Sequence, residues 1–143
     1  MRNPNYHIHK GKGTLVYDYG KGTKLYEPWW ALVFTDQGII DYYAWFCKRN
    51  GLMMQKGSAY GAHISFIRGE EPVDKEAWGC NAGEIEFWYA HIVRCDNDRH
   101  AWVDVWSDEL VEIRSKLGLP PKPHRLLNGE WVPSGYHLTI GRL

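Results

Sequence analysis

Gly61-Ala62-His63-Ile64-Ser65-Phe66-Ile67-Arg68 recurs near the end of the chain as Gly135-Tyr136-His137-Leu138-Thr139-Ile140-Gly141-Arg142. Both stretches follow one pattern: glycine, any residue, histidine, aliphatic, hydroxyl, apolar, any residue, arginine. Apolar and polar residues alternate in each, which is the period of a half-buried β-strand, so His63 and Ser65 share one face while Ile64 and Phe66 turn into a core. His137 with Thr139, and Leu138 with Ile140, divide in the same way. Each strand therefore presents one imidazole and one hydroxyl on its polar side. Arg68 and Arg142 stand at an odd offset from their histidines, so a regular strand carries them off the histidine face. With 7 His in 143 residues, chance supplies roughly 0.4 pairs of His with Ser or Thr two places on. Two copies in register, each with the same glycine and arginine, exceed that expectation.

Working outward, the same order of elements surrounds each copy. Trp30 to Phe34 is an apolar run of strand length, and Thr35-Asp36 offers a cap for a helix to about Arg49, with Ile39, Ile40, Tyr43, Phe46 and Cys47 on its apolar face. Asn50-Gly51 stops that helix. Ala101 to Trp106 is again strand-like, Ser107 caps a helix to Leu117, and Gly118 with Pro120-Pro121 ends it. Strand, helix and histidine strand thus occur twice, a duplication that predicts two pseudo-symmetric lobes. Between the halves, residues 69–83 carry Glu70, Glu71, Asp74 and Glu76 among glycines and read as an exposed connection. Glu84 to Arg94 alternates as a strand that places Ile85, Phe87, Tyr89, His91 and Val93 on one face, and Asp96-Asn97-Asp98 turns it back. Before Trp30, Gly20-Lys21-Gly22 predicts a hairpin turn between strands at Thr14 to Tyr19 and Thr23 to Tyr26. Asn128-Gly129 marks another turn.

Composition narrows the function. Lysine plus arginine and aspartate plus glutamate both number 17, so no global positive field exists to hold a long polyanion. Cys47, Cys80 and Cys95 are odd in number and lack metal-ligand spacing, which favours a reducing, cytoplasmic location. The start of the chain has no apolar signal segment and no run is long enough to span a bilayer, so no membrane association is expected. His7 and His9 alone make at most half a metal site, and His91 and His100 read as structural or surface residues, so no metal and no cofactor is expected. Eight tryptophans and nine tyrosines belong mostly to the core, leaving a few to stack on bases. The whole of 1–143 reads as a single two-lobed domain.

The paired motifs His63-Ile64-Ser65 and His137-Leu138-Thr139, one in each half of a small chain, resemble those of the 2H phosphoesterase superfamily, the LigT-like enzymes. The resemblance implies an α+β fold of two lobes of antiparallel sheet with outer helices around a central cleft. It also implies catalysis by His63, Ser65, His137 and Thr139. The residues themselves suit that chemistry. Two imidazoles of ordinary pKa about 6.5 can hold opposite protonation states near neutrality, one as general base and one as general acid, while the hydroxyls donate to the non-bridging oxygens of a phosphodiester. Which histidine is the acid stays open. The expected substrate is a small cyclic phosphate or cyclic oligonucleotide, such as a 2′,3′-cyclic phosphate end or a cyclic di- or trinucleotide immune signal of the kind that viral counter-defence enzymes destroy. The alternatives are a phosphoesterase of 2′–5′ linkages or RNA ends, and a nucleotide-binding module without turnover. Tyr60 and Trp131, in the loops ahead of the motifs, are candidate substrate-stacking residues. The oligomeric state is open.

Overall fold

The computed structural model describes residues 8–53, 55–56, 61–96, 99–133 and 135–142. In chain order the strands and helices are β1 (Ile8–Tyr17), β2 (Trp30–Thr35), α1 (Gln37–Arg49), β3 (Gln55–Lys56), β4 (His63–Arg68), β5 (Gly83–Cys95), β6 (His100–Trp106), α2 (Asp108–Lys116), β7 (His124–Leu127), β8 (Glu130–Pro133) and β9 (His137–Arg142). Six of the strands hydrogen-bond in the order β9-β4-β2-β1-β5-β6, and β6 pairs back onto β9, so the antiparallel sheet closes into a barrel. Closure removes the open edges that invite association. β3 adds to β9, and β7 with β8 forms a separate two-stranded sheet.

One face of this ring carries the core. Leu15, Ala31, Val33, Ile64, Phe66, Ile85, Phe87, Val103, Val105, Leu138 and Ile140 are buried there together with Tyr43 of α1 and Leu110 and Ile113 of α2. Fully burying such a side chain contributes about 1.5–3 kcal/mol. Both helices begin where the sequence places their caps. Asp36 accepts from the Gly38 amide at 2.9 Å, and the Ser107 hydroxyl accepts from the Leu110 amide at 3.3 Å. Lys48 and Arg49 lie in the last turn of α1, where the helix dipole favours cations.

Three expectations change. No strand forms at Thr23 to Tyr26: the Thr23 hydroxyl donates to the Gly20 carbonyl and accepts from the Leu25 amide, so local side-chain bonds hold this stretch in turns. β1 instead starts at Ile8 and pairs with β2 on one edge and β5 on the other. Second, the connection 69–83 is not wholly exposed. Glu70 is buried and grips Arg114 through two bonds, Nη1 to Oε1 at 3.1 Å and Nη2 to Oε2 at 2.6 Å. Arg114 also donates to the carbonyls of Phe66, Pro120 and Lys122, so one buried guanidinium ties together β4, the connection and the segment after α2. Third, Phe46 is exposed, so the core-facing stripe of α1 is Tyr43 and Cys47, buried, with Ile39 and Ile40 partly buried against the core.

Candidate functional site

Gly61 and Gly135 sit at φ 83° and 69°, in the left-handed region where a side chain is strained. The turn that each makes lets the carbonyl of the next residue close onto the neighbouring strand. The Thr35 amide donates to Ala62 at 2.9 Å, and the Val105 amide donates to Tyr136 at 3.0 Å. The glycine of the motif is therefore the hinge that delivers each histidine to the start of its strand.

β4 and β9 are antiparallel neighbours with Ile64 opposite Leu138. Continuing that register by one residue each way sets His63 across from Thr139 and Ser65 across from His137. The two imidazoles then lie on one diagonal of the pair and the hydroxyls on the other, all on the face away from the buried Ile64 and Leu138. Diagonal neighbours on a sheet stand about 7–8 Å apart, enough to admit a phosphate between them. His63, Ser65, His137 and Thr139 are all partly buried.

The arginines depart from the sequence expectation. Opposite Ala31 and Leu32, the partners on β4 step from Ile67 to Ser65, skipping Phe66. Opposite Ala101 and Trp102, the partners on β9 step from Gly141 to Thr139, skipping Ile140. Each histidine strand thus holds a β-bulge at the same place, two successive residues are buried in each, and the alternation flips. Arg68 and Arg142 consequently return to the histidine face instead of leaving it. The adjacent apolar pair Phe66-Ile67 was the available signal, because it breaks a strict alternation.

The rest of that face follows from register. β2 places Trp30, Leu32 and Phe34 opposite Arg68, Ser65 and His63. Tyr19 packs on Trp30 and Phe34, with ring centroids 5.1 and 5.4 Å away, and the Arg68 guanidinium lies 4.7 Å over the Trp30 ring and bonds Glu27. β6 places His100, Trp102 and Asp104 opposite Arg142, Thr139 and His137. Asp104 accepts from Arg94 at 3.0 Å and from the Trp102 indole at 3.2 Å. Nδ1 of His63 is 2.9 Å from the Gly61 carbonyl oxygen. Burial pushes the His63 pKa below the ordinary imidazole value and Arg68 adds to that, against the opposing pull of the Gly61 carbonyl.

Of the remaining candidates, Tyr60 lies outside the described residues. Trp131 is half exposed on β8 with its ring edge against Gly69, which places it at the Arg68 end of β4 and not beside the histidines. His91 meets His9 across β1 and β5, and His100 stands 3.5 Å from Asp96. Among the described residues no three His, Cys, Asp or Glu gather as metal ligands, and no helix is long and apolar enough to cross a membrane. No protein-family model, curated protein or solved structure matches the chain.

Proposed function

We propose that this chain is a metal-independent phosphodiesterase of the 2H phosphoesterase kind, acting on a small cyclic phosphate or cyclic oligonucleotide. The observation that carries the proposal is the pairing of Ile64 with Leu138, which sets two His-aliphatic-hydroxyl strands side by side with matched parity. In this reading one imidazole takes a proton from the attacking water or ribose hydroxyl and the other protonates the leaving oxygen. Ser65 and Thr139 donate to the non-bridging oxygens as charge grows on them, and Arg68 and Arg142 add positive charge to the same face.

A two-lobed, pseudo-symmetric arrangement is part of the proposal, and three features support it. The strand order around the barrel reads the same when β1, β2 and β4 are exchanged with β5, β6 and β9. The bulges fall at equivalent places. The carbonyls of Ala62 and Tyr136 accept from equivalent strand ends. The strand order lies outside the sequence motif, so it supports a duplication independently of it.

A compact substrate is favoured over long RNA by charge. Lys10 and Lys12, the beginnings of a basic patch, are offset by Glu86 and Glu84 at 3.2 and 3.5 Å. The half-buried aromatic side chains Phe34 and Trp102 offer stacking surface beside the histidines instead. Purified protein incubated in EDTA with 2′,3′-cyclic nucleotides, cyclic di- and trinucleotides, 2′–5′ dinucleotides and long RNA decides the matter by chromatography of the products. Turnover of a cyclic compound supports the proposal. Retention without turnover indicates a binding module, and cleavage confined to long RNA rejects the substrate class.

A further inference from the structure

The two halves differ at one place that matters chemically. Where β2 puts Phe34 opposite His63, β6 puts Asp104 opposite His137. One histidine thus faces a ring that cannot share charge, and the other faces a carboxylate. Directly opposed residues hold their Cβ atoms about 4.5–5.5 Å apart, within reach of an imidazole and a carboxylate. Asp104 already accepts from Arg94 and Trp102, but an ionised carboxylate offers about four acceptor positions, so it retains capacity for a third donor.

We propose that Asp104 is the positioning residue that holds His137 in its protonated form, so that His137 is the general acid and His63 the general base. This rests on the phosphodiesterase reading above. The tautomer of His63 fits the base. Its Nδ1 faces the Gly61 carbonyl, which can only accept, so Nδ1 carries the hydrogen and Nε2 keeps the lone pair. Its depressed pKa favours the neutral ring as well. Among the described residues that the strand registers bring near His137, the other charged or titratable groups are His63 on the diagonal of β4, Arg94 of β5 beyond Asp104, and Arg142 and His100 paired further along β9 and β6. β3 meets β9 only at Gly141 and Arg142, past His137. Asp104 is the carboxylate directly across from His137.

The step balances without a further reagent. Water or a ribose hydroxyl gives its proton to Nε2 of His63 as its oxygen bonds to phosphorus. The bond from phosphorus to the leaving oxygen breaks, the electron pair stays on that oxygen, and the proton of His137 completes the alcohol. Exchange with solvent returns the pair to its starting state.

NMR titration of the imidazoles, without substrate, tests the protonation order. His137 should protonate at higher pH than His63, Asp104→Asn should lower the His137 midpoint by about 1 pH unit, and Arg94→Ala, which spares the carboxylate, should not lower it. The reverse order, or a midpoint unmoved in Asp104→Asn, overturns the proposal. Kinetics with two esters test the roles. On a cyclic nucleotide, both histidine-to-alanine variants should lose about 10²–10⁴ in rate. On a 4-nitrophenyl phosphodiester, whose leaving group needs no proton, His137→Ala and Asp104→Asn should recover to within about tenfold of the wild type, while His63→Ala stays depressed. Recovery by His63→Ala instead overturns the assignment and leaves the phosphodiesterase reading intact. If the wild type turns over neither ester, that reading fails and the catalytic roles fail with it, whereas the NMR order is decided separately.

Discussion

Replacing Glu70 with alanine removes the carboxylate that neutralises Arg114. The Arg114 side chain has no exposed surface and that of Glu70 has 7%, so solvent does little to screen either charge. In Glu70→Ala the guanidinium keeps its bonds to the carbonyls of Phe66, Pro120 and Lys122, but its charge is buried without an opposite. Breaking a buried pair from one side costs about 3–5 kcal/mol. That is a large share of the roughly 5–15 kcal/mol by which a domain is stable. At about 3 °C per kcal/mol for this chain length, Tm should fall by roughly 10–15 °C. Urea denaturation followed by tryptophan fluorescence measures the loss directly. The double variant Glu70→Leu/Arg114→Met, which buries neither charge, should be more stable than Glu70→Ala, since apolar replacement of both partners is often neutral. A Glu70→Ala protein within 1 kcal/mol of the wild type would refute the idea that this pair is sealed from water.

Gly61→Ala and Gly135→Ala should each cost about 1–2 kcal/mol, the penalty of a left-handed side chain; among the described residues, chain neighbours aside, no atom lies within 4 Å of a Cβ at either position, so thermal denaturation measures the backbone strain. The lowered pKa of His63 has a stability consequence. The unfolded chain binds the proton at about pH 6.5 and the folded chain does so only at lower pH, so stability is full above that value and falls as pH drops between the two; His63→Gln should flatten this part of a pH–stability curve. Turnover of a small cyclic phosphate should change little between low and physiological salt, and rates that collapse with added salt would contradict a substrate held without a basic track.

The repeated strand, helix and histidine strand were legible because each element carries its own local signal: the apolar run at Trp30, the caps at Asp36 and Ser107, the alternation after Gly61 and Gly135. Periodicity reports faces, and faces were right for His63, Ser65, His137 and Thr139. It assumes a regular strand, however, and the bulges at Phe66 and Ile140 violate that assumption, which is why Arg68 and Arg142 were assigned to the wrong side. The N-terminal hairpin failed for a different reason. Thr23 spends its hydroxyl on a turn, and the true partner of β1 beyond β2 is β5, some seventy residues away, a pairing for which no local pattern exists. The opposition of Asp104 to His137 is equally nonlocal and follows only once the β6–β9 register is known.

The two seams that join the halves of the barrel are unequal. Between β1 and β5 the ladder runs from Ile8 opposite Ala90 to Leu15 opposite Gly83, whereas between β4 and β9 the one pairing among the described residues is Ile64 opposite Leu138. A ring under thermal stress parts where the fewest bonds cross, so the first acts as the spine of the molecule and the second as its clasp. The histidines sit on the clasp. The Ala62 and Tyr136 carbonyls bond to β2 and β6, so by alternation Ile64 and Leu138 turn their backbone groups to those outer strands while Ser65 and Thr139 turn theirs to the seam. Amide exchange should accordingly be faster at Ser65 and Thr139 than along β1, because what protects those amides is a single fastening and not the depth of the core.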